Sequence, residues 1–136
     1  EVIDRVGLFD PRYFLYYEEV DHCKRVKQAG WKVVYYPHTT VVHIGGESAK
    51  SVGELNATSR QISTLQIESE LLYFRKHHGL AGLAVHMLLV SLGDLILALK
   101  ALLKGRGWPV MEACWQHVRV TWTLLRDTKI ASQPTR

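Results

Sequence analysis

The hydrophobic and polar positions of this chain change rhythm several times. From Glu18 to Ala29, Val20, Cys23 and Val26 recur at three-residue spacing, with Lys24, Arg25, Lys27 and Gln28 among them. That spacing predicts a helix whose basic side chains point mostly outward. Acidic residues open it and basic residues close it, the order its dipole favours, and Gly30 is placed to stop it. Trp31-Lys32-Val33-Val34-Tyr35-Tyr36 then predicts a strand closed by Pro37, and Thr39-Thr40-Val41-Val42-His43 a second β-branched run. Ahead of the helix, residues 1–8 predict a short helix or turn, Asp10-Pro11 a turn, and Tyr13 to Tyr17 a short aromatic run, buried in part.

The later rhythm is helical throughout. Gly45-Gly46-Glu47-Ser48 predicts a mobile loop, and residues 47–58 are small, polar and expected to be flexible. From Ser59 to His78, Ile62, Leu65, Ser69, Leu72 and Tyr73 share one helical face, Arg75-Lys76-His77-His78 sits at the favoured end, and Gly79 breaks the run. Between Gly79 and Leu99 the only ionisable side chains are His86 and Asp94, which share a broad stripe with Lys100 and Lys104. About 20 apolar residues suffice to span a bilayer, but a mid-membrane Asp costs roughly 2.5–3.5 kcal/mol on insertion scales. A helix lying in the membrane interface, or packed on a partner, fits the stripe better than a span; a buried core helix is the plainer alternative. Gly105 to Pro109 predicts a break, Val110 to Arg126 a further helix carrying Trp115 and Trp122, and residues 127–136 a frayed end.

Charge sharpens this division. The 136 residues carry a formal net charge of +4. Residues 1–99 hold 10 basic and 11 acidic side chains, whereas residues 100–136 hold 7 basic against Glu112 and Asp127 alone. A basic tail beside an apolar segment suits an anionic membrane surface. No nucleic-acid motif accompanies it, so no nucleic-acid partner is expected. Cys23 and Cys114 are far apart, without metal-ligand spacing, which fits a reducing compartment. The start at Glu1 reads as the middle of a fold, with no signal peptide, and suggests a fragment or excised domain.

Candidate chemistry concentrates at Glu18, Glu19 and Asp21, three carboxylates within four positions directly behind Tyr13-Phe14-Leu15-Tyr16-Tyr17. An acidic first turn that complements the helix dipole explains them structurally, and Asp21 in particular reads as a cap. The functional reading pairs the helix start with His43 at a strand end, where a carboxylate base and a His ligand could support metal-assisted group transfer. His43 has an equally plain reading as a hydrogen-bonded strand-end His. His77-His78 reads as a solvated helix end, and His86 and Asp94 are two turns apart and form no close metal pair.

In order along the chain, Val6-Gly7-Leu8-Phe9-Asp10, Tyr16-Tyr17-Glu18-Glu19-Val20-Asp21, Ala29-Gly30-Trp31 and Val41-Val42-His43 resemble the C-terminal half of the catalytic domain of family-2 glycosyltransferases, and within it the rhamnosyltransferase-like enzymes of bacterial cell-surface polysaccharide or glycolipid synthesis. The resemblance covers residues 6–48. It implies an α/β class, the C-terminal part of a GT-A fold, over residues 1–58, followed by amphipathic, membrane-associated helices over residues 59–136. It implies transfer of a sugar, with inversion, from a nucleotide-diphosphate donor to a hydroxyl on a glycan or lipid-linked acceptor, at the cytoplasmic face of a membrane. The family's catalytic base falls on Glu19, where Asp is more usual. Tyr17, Glu18, Asp21 and Trp31 would bind or orient the acceptor, His43 would ligate a divalent metal (Mg2+ or Mn2+), and Gly45-Gly46 would close over the donor. The family's Asp-X-Asp motif is absent from this chain, so the isolated stretch is expected to be inactive. The alternative reading is a non-catalytic interaction module with an amphipathic helix that binds a membrane or partner.

Overall fold

The computed structural model describes residues 1–42, 59–105 and 107–136, with side chains from residue 64 in the second stretch. Among the described residues every regular element is a helix: α1 (Val2–Val6), α2 (Glu18–Gln28), α3 (Ser59–Leu103) and α4 (Gly107–Asp127). The chain divides into two compact units, Glu1–Ser69 and Glu70–Arg136.

In the first unit, α1 is one short turn that ends at Gly7, whose φ of 82° is open to glycine at little cost. Asp10-Pro11 then turns as expected. The Tyr13 amide donates to the Asp10 carbonyl at 3.1 Å, and the Arg12 amide donates to Asp10 Oδ1 at 3.0 Å, so the Asp side chain and the Pro φ both fix the bend. Helix α2 ends in a Schellman motif: the Gly30 amide donates to Lys27 O and the Trp31 amide to Val26 O, both at 3.1 Å, around Gly30 at φ 89°. Tyr13, Asp21 and Val26 make the buried side of this unit. The Ser69 hydroxyl, at the α3 end of the unit, donates to Leu15 O at 2.9 Å.

The expected α/β class is wrong for this structure. Neither Trp31–Tyr36 nor residues 39–42 form a strand, and no strand occurs among the described residues. The β-branched and aromatic content is there, but Val34 and Tyr35 are 75% and 89% exposed. A strand needs a neighbouring ladder for its backbone groups and a face to bury. Among the described residues neither lies beside this segment, so it gains nothing from regular pairing with them. The GT-A assignment falls with the sheet.

In the second unit, α3 is broken at Gly79 (φ 67°, ψ −163°), where the sequence places the break. The chain doubles back there: Phe74 stacks on His86 with centroids 4.1 Å apart and planes 10° from parallel, and His86 Nε2 lies 3.7 Å from Glu70 Oε1. Burial lowers the His86 pKa from its ordinary value, the Glu70 charge opposing that. Leu71, Leu72, Leu83 and Met87 are buried around this reversal. A second reversal follows at Lys104-Gly105, with Gly105 at φ 66°, and the expected break narrows to this turn because Pro109 is tolerated in the first turn of α4. Residues 128–133 are not frayed. The buried Thr128 hydroxyl donates to Leu124 O at 2.6 Å and accepts the Ala131 amide at 3.0 Å. Lys129, Ile130 and Ala131 all adopt positive φ around it.

Candidate functional site

The start of α2 is held from behind. Asp21 is fully buried and accepts from Arg25 Nε at 2.7 Å and from the Tyr13 hydroxyl at 3.4 Å. The same guanidinium donates to Val6 O at 2.5 Å and to Leu8 O at 2.7 Å. Arg25 therefore ties α2 to the end of α1 and to the segment that leads into the aromatic run. It was expected to point outward; it turns inward because a buried carboxylate one helical turn earlier needs a charged partner. Burial, reinforced by the charges of Asp21 and Asp10, pushes the Tyr13 hydroxyl well above the usual tyrosine range. Arg12 forms a two-pronged pair with Asp10, Nη2 to Oδ2 at 2.7 Å and Nε to both oxygens at 3.1 Å, and its pKa is raised chiefly by that bond.

Onto this rigid base the chain mounts a strained step. Tyr16 and Tyr17 both sit in the left-handed region, at φ 65° and 66°. That conformation costs an L-residue about 1–2 kcal/mol; two bulky aromatics in succession keep it only because their surroundings impose it. The step sets the direction in which α2 begins. It leaves Glu19 exposed and Glu18 half-buried. Glu18 Oε2 is buried without a hydrogen-bond partner. Burial raises the Glu18 pKa first; its own backbone amide opposes that, and the charge and hydrogen bond of Glu19 add to it. The pair is thus asymmetric: one carboxyl held toward its protonated form, its neighbour facing solvent.

The named residues separate accordingly. Tyr17, Glu18 and Glu19 are consecutive at the helix start. Asp21 lies on the buried side of α2, engaged by Arg25 and Tyr13. Trp31 follows the far end of α2, half-buried, with its indole Nε1 buried and without a hydrogen-bond partner. His43, Gly45 and Gly46 lie outside the described residues. Among the described residues no three His, Cys, Asp or Glu come together in a way that could hold a metal ion. Sequence reasoning missed Tyr13 and Arg25 as the supports of this site. The four-residue spacing of Asp21 and Arg25 was the available signal for the second; Tyr13 had none.

The second unit holds a different feature. Asp94 and His117 meet at 2.8 Å between α3 and α4. Beside them runs an apolar groove of about 640 Å³, with Leu95 and Ala98 on one wall and Trp108, Met111, Trp115 and Val118 on the other.

No family model matches this chain, and no solved structure matches it. Among curated proteins, the chain is 51% identical over 39 residues to N-acetylglucosaminyl-diphospho-decaprenol L-rhamnosyltransferase of Mycobacterium tuberculosis, in both strain CDC 1551 / Oshkosh and strain ATCC 25618 / H37Rv. The matched stretch is 29% of this chain and spans only 13% of the length of each relative, so the likeness to a glycosyltransferase is local.

Proposed function

We propose that this chain carries the acceptor-side acid cluster of an inverting sugar transferase that uses a nucleotide-diphosphate donor. The local identity with a rhamnosyltransferase carries the reading; the exposed carboxyl of Glu19, set by a strained aromatic step beside a perturbed Glu18, gives it a chemical form. Glu19 takes the proton from the acceptor hydroxyl as that oxygen bonds to the anomeric carbon. The bond from that carbon to the diphosphate oxygen breaks with inversion, and the nucleoside diphosphate leaves with the electron pair. Glu18 fixes the position of Glu19 and the electrostatic setting around it. Tyr17 and Trp31 offer aromatic faces to a sugar, and Asp21 acts through Arg25 and Tyr13 by holding the helix start in place. The metal expected with such enzymes enters this proposal through His43 alone, and Gly45-Gly46 as the donor loop.

The test is Glu19→Gln in the complete polypeptide that carries this stretch. Loss of a general base predicts a fall in transfer of about 10²–10⁴-fold, with donor binding retained. Transfer at the unsubstituted rate would reject the role and favour a non-catalytic docking surface.

A further inference from the structure

The second unit shows a face that water does not suit. After the Gly79 break, α3 exposes Leu88, Leu89, Leu92, Leu95, Ile96 and Leu99. By length and composition α3 carries a stretch apolar enough to cross a membrane, and only 11% of its most apolar window is buried. Soluble surfaces rarely expose a contiguous apolar area of this kind. A helix that packs on one protein partner shows a single apolar stripe; here apolar residues continue around α3, as they do where the surrounding medium is itself apolar. The neighbouring helix α4 presents Trp108, Trp115 and Trp122 at its surface. Lys100 and Lys104 are exposed where α3 turns into α4. The Trp108 ring and the two lysines lie together at the turn end of this apolar hairpin, and Trp115 and Trp122 follow along α4, as rings and snorkelling lysines do in a helix lying at the headgroup level of a bilayer.

The same hairpin argues against a full crossing. α4 runs alongside α3 through the Asp94–His117 bond and carries Glu112, Gln116 and Arg119 along its length, which crossing would drag into hydrocarbon. The groove between the two helices is lined mostly by apolar side chains, and at its edge Asp94 is paired with His117 and Glu112 with Gln116. Its volume falls within the range of pockets that enclose small ligands.

We propose that the hairpin formed by residues 80–127 lies in the surface of an anionic membrane and takes a lipid hydrocarbon chain into the groove between Leu95 and Ala98 on α3 and Trp108, Met111 and Trp115 on α4. Lys100 and Lys104 contact the anionic headgroups. The proposal is independent of the sugar-transfer reading, since it uses none of the residues of the first unit.

The full chain is tested by flotation with vesicles of phosphatidylcholine, with or without phosphatidylglycerol, and by quenching of tryptophan emission with lipids brominated along their acyl chains. The chain floats with anionic vesicles, and the brominated chains quench it. Ala98→Phe, which fills the groove, lowers that quenching about two-fold or more without loss of helical circular dichroism. Val118→Phe does the same from the opposite wall and serves if the first variant misfolds. Lys100→Glu with Lys104→Glu lowers the bound fraction roughly tenfold or more, because each lysine near such a surface contributes favourably. Failure to float, or quenching untouched by both groove-filling variants, overturns the proposal. So does a lipid-free dimer that Ala98→Phe dissociates, which would assign the groove to a second copy of this chain.

Discussion

The guanidinium of Arg25 reaches three separate pieces of the first unit: Asp21 on its own helix, and the carbonyls of Val6 and Leu8. Its removal takes from the fully buried Asp21 carboxylate the guanidinium that donates to it at 2.7 Å. Breaking a buried pair by deleting one partner typically costs 3–5 kcal/mol. Arg25→Met is therefore expected to destabilise the first unit by about 3 kcal/mol, read as a lower denaturant midpoint with the slope unchanged. A midpoint within error of the unsubstituted chain would show that water or a rearranged helix replaces the clamp. The acids of this helix start were legible in the sequence as a group, but their division of labour was not. Glu18, Glu19 and Asp21 look alike as letters. Their difference arises from which side of α2 each occupies, and that depends on where Tyr13 and Arg25 sit.

At the scale of elements, the glycines tell most. Gly30 and Gly79 were placed correctly because each combines an interrupted period with a residue that accepts positive φ. Gly82 was not singled out, since nothing local marks it. Its importance comes from the reversal at Gly79, which brings the two arms of α3 together: a Cβ on Gly82 would run into the His78 Cβ. Neither atom is the tip of a flexible side chain, so the arms must separate. Gly82→Ala should cost about 1–3 kcal/mol by overpacking, despite the better helix propensity of Ala, and should loosen the Phe74–His86 stack. Thermal unfolding followed by circular dichroism checks the sign; a stabilised variant would mean that the arms meet differently.

For the whole molecule, the error over residues 31–42 is the instructive one. The composition of Trp31–Tyr36 is that of a strand, and such propensity reports fitness for a pleated, half-buried surface rather than a backbone preference. Helices close their hydrogen bonds within one segment, so α2, α3 and α4 could be read locally from period and caps. A strand closes its bonds with distant chain, and nothing in twelve residues of sequence supplies that neighbour. The consequence is measurable. Amide hydrogen exchange on this chain should leave residues 32–42 close to the unprotected rate, because no ladder holds them among the described residues. Amides around Leu71, Leu72, Leu83 and Met87, in the buried part of α3, should exchange slowest, since they open only with the unit as a whole. Protection over 32–42 equal to that of α3 would show that these residues do pair into a sheet, against a chain whose described residues form helices alone.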